Sequence, residues 1–423
     1  MLYYQQDLRT PVSKLTLVFQ GAGEQKENET TIGLGAITAK LLFHGTTKYT
    51  RDELQNEFDL LGATVSAFVN ESDFVIRIVC FSRTLSRVVN LISHCIEECT
   101  FPQPEIELVK RQESNRLTSL LQSNDELLRI ANRYVLFHGS HLGKTGSWSS
   151  IERIKQDDIR EYFKNVRSSA NAYCTALTDL SEAEIRKYLS NIFDNRPRNG
   201  FILDAEPEYR QSDRMEAFIV DIPDAPNDRL LWTHQGLRAN DSRRYALSII
   251  LDALGSFEGY LFDELRNKKG WCYGMYAFQY PPSARMGRIG YYSDPSKDTS
   301  QYLIPKLLDL LHTFGSNDDY LLRRIERTES FKNRYAYQQD LNYKITSQIQ
   351  RDKYGIPILS RDEYYSEIDA VNNSLVDDVI RTVFVVENLT MTFCGNKDRI
   401  SSIIASINPA ISIRILSKTE LLS

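Results

Sequence analysis

No stretch of the 423 residues approaches the roughly 18 consecutive apolar residues that a membrane-spanning helix needs. Positive charge is not in excess either. The chain has 51 Lys and Arg against 56 Asp and Glu, a formal net charge of −5, which argues against a surface built to coat nucleic acid or an anionic membrane. Cysteine is sparse: Cys80, Cys95, Cys99, Cys174, Cys272 and Cys394 are scattered along the chain, unlike the dense cysteines of small disulfide-stapled secreted domains. The start, Met1 to Asp7, lacks the basic flank and apolar stretch of a signal peptide. Free thiols and this start predict a cytoplasmic protein, with a periplasmic location as the alternative if a leader has been removed. The apolar content of 42% and charged content of 25% are ordinary and exclude long-range disorder. At about 100–200 residues per domain, the length allows two to four domains.

Local patterns alternate between helix and strand. Thr50-Arg-Asp-Glu53 is a capping box opening a helix whose apolar face carries Leu54, Phe58 and Leu61, with Gly62 placed to end it. Val65, Ala67 and Val69, then Phe74, Ile76, Ile78 and Cys80, alternate with period two and predict adjacent strands. Helical spacing returns from Leu85 to Cys99 and is closed by Pro102 and Pro104. A long helical stretch is expected over about 105–136, a further helix over 156–165 and a strand over 171–177. Residues 204–214 are polar and read as a linker.

The second half repeats this plan. One constant offset in numbering pairs Ile151 with Ile368, Ile154 with Val371, Asn171 with Asn388 and Thr175 with Thr392. The expected fold is α+β, with two homologous domains over 1–207 and 215–423, each a mostly antiparallel sheet packed against helices.

Two segments carry a more specific resemblance. Gly33 to Thr46 includes Leu42-Phe43-His44-Gly45-Thr46, followed by Tyr49-Thr50-Arg-Asp-Glu-Leu54. This resembles the pitrilysin and mitochondrial-processing-peptidase family, whose members place H-x-x-E-H on a helix just before a Leu-Phe-x-Gly-Thr segment. Histidines four apart share a helical face and can clasp one zinc, and the glutamate between them activates a bound water. Anchored on Leu42-Phe43, those five positions here are Ala36, Ile37, Thr38, Ala39 and Lys40. Both histidines and the glutamate are absent, and Lys40 brings an ammonium that would oppose a metal. The resemblance implies a third ligand, a glutamate further along the chain, which falls near Arg116 to Thr118. No acid stands there, and Glu113 is about one helical turn away. The expectation is that this chain binds no catalytic zinc.

In the second half, Gly259 to Tyr273 resembles the family's other signature, an arginine and a tyrosine seven residues later around a helix end. These are Arg266 and Tyr273, with Gly270 between them. The resemblance implies that they contact the substrate backbone near the scissile carbonyl, facing a zinc site across the cleft of a clamshell. A guanidinium offers a fixed fork of donors and a phenol can donate to a developing oxyanion.

Other candidates have plainer readings. His44 occupies the variable position of its segment and reads as a loop histidine. His138 and His141 have metal-like spacing but no third ligand nearby, and Cys95 and Cys99 share an apolar helix face. Unusual zinc ligation by His44 and Glu71 is a further alternative. Some family members are two-chain enzymes in which one chain keeps the zinc motif and the other the Arg/Tyr pair. This chain resembles the second kind, so its expected partner is a homologous H-x-x-E-H subunit holding the zinc. A purely structural or peptide-binding module, possibly a homodimer, is the alternative.

Overall fold

A computed structural model describes residues 1–28, 30–137, 140, 143–169, 171–193, 210, 212–280 and 287–422. Most of the expected linker, together with His138 and His141, lies outside them. Two mixed sheets organise the chain. The first contains β1 (Leu2–Gln6), β2 (Val12–Gln20), β3 (Thr64–Val69), β4 (Asp73–Phe81) and β5 (Ala172–Thr178), in the order β1-β5-β2-β4-β3. The second contains β6 (Glu216–Asp221), β7 (Arg229–Gly236), β8 (Cys272–Gln279), β9 (Gly287–Pro295), β10 (Thr390–Gly395) and β11 (Ser412–Leu416), in the order β11-β6-β10-β7-β9-β8. Apart from β11 at one edge, the two orders are the same when β1, β5, β2, β4 and β3 are replaced by β6, β10, β7, β9 and β8. Among these strands, β1 with β5, β6 with β10 and β6 with β11 pair in parallel, and the remaining pairs are antiparallel.

The helices of the first half are α1 (Leu34–Leu41), α2 (Arg51–Leu60), α3 (Leu85–Glu98), α4 (Gln103–Gln122), α5 (Asn124–Leu136), α6 (Trp148–Arg153), α7 (Gln156–Ser168) and α8 (Glu182–Phe193). Those of the second are α9 (Arg244–Gly255), α10 (Tyr260–Phe262, continued by a π-turn over Asp263–Asn267), α11 (Ser300–Thr313), α12 (Asp318–Asn333), α13 (Tyr335–Gln338), α14 (Leu341–Tyr354), α15 (Arg361–Asp369), α16 (Asn373–Val383), α17 (Lys397–Ile407) and α18 (Lys418–Leu421). Among the described residues none is long and apolar enough to cross a membrane.

Local chemistry accounts for the boundaries. Thr50 and Glu53 form the expected reciprocal cap of α2, and Gly62 takes the left-handed conformation that ends it (φ +60°). The helical stretch expected over 105–136 is two helices, because Ser123 adopts an extended backbone and accepts a hydrogen bond from the Glu126 N–H as the cap of α5. On β4, Phe74, Ile76, Ile78 and Cys80 are buried while Arg77 and Val79 point outward. Each sheet packs one face on helices of its own half, around Ile37, Ile76 and Val88 in the first and Trp232, Ile250 and Met275 in the second.

The opposite faces are covered by an exchange. Helix α5 of the first half lays Leu127, Leu128, Ala131 and Val135 on Phe218, Val220, Leu231 and Cys394 of the second sheet. Helix α14 of the second half sets Ile345 against Tyr3 and Leu177 of the first sheet, and the Tyr3 hydroxyl donates to Asp352 at 2.9 Å. These two helices begin at Asn124 and Leu341, the same offset that pairs Ile151 with Ile368 in the sequence.

Candidate functional site

Helix α1 carries the five positions that correspond to the metal motif. Its N-terminus is held by Glu27, whose carboxylate accepts N–H bonds from Gly33 (2.8 Å) and Gly35 (2.7 Å). One turn apart, Ala36 and Lys40 lie on the open side, whereas Ile37, Thr38 and Ala39 are buried. Lys40 reaches Glu113 on α4 in a close ion pair, and Arg116 Nε donates to the other Glu113 oxygen at 2.7 Å. Glu113 is the acid that meets α1, one turn before the expected 116–118, because a count of residues does not resolve which turn of a long helix faces the site. Its side chain is only 4% exposed. Burial alone would raise its pKa, but the ion pairs with Lys40 and Arg116 outweigh burial and hold it below the usual range.

Ala36, Gly33, Glu27 and Glu113 line a cleft of about 280 Å³ together with Arg116, Arg129 and Arg133. Its carboxylates are engaged. Glu113 holds Lys40 and Arg116, Glu126 pairs with Arg129 at 2.7 Å, Glu24 lies 3.6 Å from Arg133, and Glu27 caps α1. All lining residues lie between 24 and 151, so neither Arg266 nor Tyr273 belongs to this cleft.

The Arg/Tyr pair sits at a helix-to-strand junction. Arg266 lies in the π-turn that extends α10. The chain then reverses through Gly270 (φ +66°), with N–H bonds from Gly270 to the Arg266 carbonyl (2.9 Å) and from Trp271 to the Leu265 carbonyl (3.0 Å). Strand β8 bulges between Cys272 and Met275. Both N–H groups of the bulge, Tyr273 (3.1 Å) and Gly274 (2.7 Å), donate to one oxygen of Asp294 on β9. The bulge re-aims the Tyr273 side chain, which is 78% exposed. Arg229 lies 3.8 Å from Asp294 and 2.8 Å from Asp125 of α5, the latter an ion pair without hydrogen-bond alignment. Among the described residues neither the Arg266 guanidinium nor the Tyr273 hydroxyl has a hydrogen-bond partner. Nothing in the sequence marked Asp294 as the group that sets the bulge.

His44 is in a turn with Nδ1 2.8 Å from Glu105, half-buried, and burial lowers its pKa. Cys95 is buried and Cys99 partly so; burial pushes both thiols up to about 12, which keeps them protonated and poor as ligands. Among the described residues no group of three His, Cys, Asp or Glu side chains converges on one point.

Residues 2–137 match the family described as insulinase (peptidase family M16), and residues 153–325 match the peptidase M16 inactive domain. The chain belongs to the M16 peptidase family. It is 27% identical over 146 residues to the mouse mitochondrial-processing peptidase subunit beta, covering 33% of this chain and 29% of that protein. It is 25% identical over 151 residues to the bovine cytochrome b-c1 complex subunit 1, covering 34% and 31%. These matches span under a third of either relative's length. The uncharacterized zinc protease YmxG of Bacillus subtilis matches at 20% identity over 378 residues, 87% of this chain and 89% of that one. The crystal structure of a peptidase M16 inactive domain from Pseudomonas fluorescens superimposes with a TM-score of 0.79 at 16% identity, covering 94% and 95%.

M16 peptidases use zinc, and the residues of α1 in this chain do not fit one. Ala36 has no donor atom, Lys40 offers an ammonium instead of a lone pair, and Glu113, the acid that meets Lys40, already neutralises two cations. Position 39, where the family's general base would stand, is a buried alanine with 1% exposure.

Glu27 gives the cleft a pH dependence. Burial raises its carboxyl from 4.5 to about 7, against the two N–H donors that favour the charged form. Between these values the folded chain holds a proton that the unfolded chain has released. Its contribution to stability is full below pH 4.5 and is lost as pH rises through 7, amounting to about 3 kcal/mol across that window. Urea midpoints from pH 5 to 7.5 are expected to fall in the native chain and to flatten in Glu27→Gln. Equal slopes in the two proteins would refute the assignment.

Proposed function

We propose that this chain is the non-catalytic subunit of a two-chain zinc endopeptidase, donating Arg266 and Tyr273 to the active site of an H-x-x-E-H partner and helping enclose a chamber for peptides. The observation that carries the reading is a contrast within one chain. On α1, Lys40 is locked to Glu113 and the cleft is charge-neutralised from within. At the β8 bulge, Arg266 and Tyr273 are built onto a defined junction yet left, among the described residues, without a hydrogen-bond partner. On this reading residues 1–207 and 215–423 are homologous domains arranged as a clamshell, and the partner's zinc supplies the polarising charge and activated water of hydrolysis. Arg266 binds a substrate carbonyl through its fork of donors. The Tyr273 hydroxyl donates to the oxygen that gains charge in the tetrahedral intermediate. Strand β8 is an edge of its sheet, so an extended peptide can take up backbone hydrogen bonds beside Tyr273. A cytoplasmic location belongs to the same proposal.

Purified alone, the chain is expected to carry no stoichiometric zinc and to cleave no peptide; mixed with its partner it raises the partner's turnover. Stoichiometric zinc with peptidase activity in the lone chain would end this reading. The match to a cytochrome b-c1 complex subunit favours a second one, a catalytically silent structural module. The two separate on the Arg266 and Tyr273 variants, which in a structural module leave any partner's activity unchanged.

A further inference from the structure

The cleft at α1 has a counterpart in the second half. A cavity of about 360 Å³ is lined by Tyr245 of α9, Tyr335 of α13, several residues of α14 including Tyr343 and Lys344, and the extended segment 356–359. The offset that relates the two halves carries lining residues of the first cleft onto lining residues of this one: Glu126 onto Tyr343, Ile130 onto Ser347 and Arg133 onto Gln350. The α5 wall of one corresponds to the α14 wall of the other, and the chemistry is inverted. Where the first cleft holds four glutamates already bound to cations or amides, the second has no carboxylate among its described lining residues. Three phenols, four primary amides and one ammonium take their place.

The second distinction is in what those groups are doing. Among the described residues the side-chain amides of Gln5, Gln339, Gln348 and Gln350 have no protein hydrogen-bond partner, and partly buried Lys344 makes no ion pair. The cation has no counter-charge among the described residues of its own wall, and Arg244 stacks on the lining Tyr245 at 4.5 Å. An unpaired ammonium selects a single negative charge. Primary amides both donate and accept, which suits the alternating N–H and C=O groups of a peptide backbone. Aromatic rings and the aliphatic wall at 356–359 accommodate an apolar side chain. The volume is at the small end of the roughly 300–1,000 Å³ usual for ligand sites, so a short peptide end fits and a folded protein does not.

We propose that this cavity is a peptide-binding site for the free C-terminal end of a short peptide, with the terminal carboxylate on Lys344 and the backbone amides on the lining glutamines. It is independent of the Arg266 and Tyr273 junction and does not rest on the proposed catalytic partnership, because binding is read on the isolated chain.

The probe is an N-terminally fluorescein-labelled Ala-Pro-Ala-Leu tetrapeptide, titrated by fluorescence anisotropy as the free acid and as the C-terminal amide. Saturable binding of the acid is expected, at least about tenfold weaker for the amide and for the acid with Lys344→Gln, and weakening as salt rises. Tyr343→Ala is expected to weaken both forms, and Arg129→Ala in the first cleft to change neither. Circular dichroism melts establish that each variant is folded. Equal affinity for acid and amide, an unchanged affinity in folded Lys344→Gln, or no saturable binding of the acid would each overturn the proposal.

Discussion

Arg266→Ala or Tyr273→Phe is expected to lower the peptide turnover of the reconstituted pair by about a hundredfold or more, the usual effect of removing one donor to a developing oxyanion. The fold gives no reason for either change to act through stability. Tyr273 is 78% exposed and Tyr273→Phe keeps its ring, so the only loss is a hydroxyl with no partner among the described residues. Substitutions of this kind alter stability by less than about 0.5 kcal/mol. Under the proposed roles, steady-state kinetics is expected to distinguish the two residues: Tyr273→Phe falls mainly on kcat, as for a bond that strengthens in the transition state, whereas Arg266→Ala also raises KM through lost ground-state binding. Unchanged turnover in both variants, with association intact, would favour the structural module.

A gain of metal binding is the second large effect. Ala36→His with Lys40→His places two imidazoles one turn apart on α1, opposite Glu113. That constellation is the His₂Glu donor set of catalytic zinc sites. Ala36 and Glu113 already line one cleft, and residue 40 already reaches Glu113. Zinc titration against a chromophoric chelator is expected to give one site per chain, bound at least about a hundredfold more tightly than by the native chain, and lost again on adding Glu113→Gln. Arg116 competes for the same carboxylate at 2.7 Å and weakens the site without removing it. Because buried Ala39 supplies no general base, the variant is expected to bind zinc and remain without peptidase activity. A folded variant that takes up no zinc would show that Glu113 does not stand where the third ligand must.

The contrast between these experiments follows what the sequence made visible. Signals carried by neighbouring residues were legible: the Thr50 and Glu53 cap, the Gly62 terminator, the alternation along β4 and the Arg266-to-Tyr273 spacing across Gly270. So was the repeat, because a constant offset survives in residues that share a structural environment. Features made by contacts across long separations were not. Strand β1 is short and pairs in parallel with β5, at the far end of the first half, so it leaves almost no local pattern. Asp294 sets the bulge under Tyr273 from a neighbouring strand. The stretch 116–118, where the family resemblance places the third ligand, lies one turn past Glu113, the acid that meets Lys40, because helical facing depends on where the helix begins. The second cavity, with no carboxylate among its described lining residues, draws its walls from β1, α9, α13, α14 and the segment 356–359, and only the folded chain collects them.

The exchanged helices also bear on how the chain is made. By Thr178 every strand of the first sheet has been synthesised, yet Ile345, which covers Tyr3 and Leu177, belongs to the second half. At roughly 5–20 residues per second, the β1 and β5 edge of one face of that sheet waits on the order of ten to thirty seconds on the ribosome. Meanwhile α5 exposes Leu127, Leu128, Ala131 and Val135 until the sheet they pack against has formed. The first half is therefore expected to emerge as an aggregation-prone intermediate that needs a chaperone's shelter, and its native partner during that interval is the unfinished remainder of its own chain.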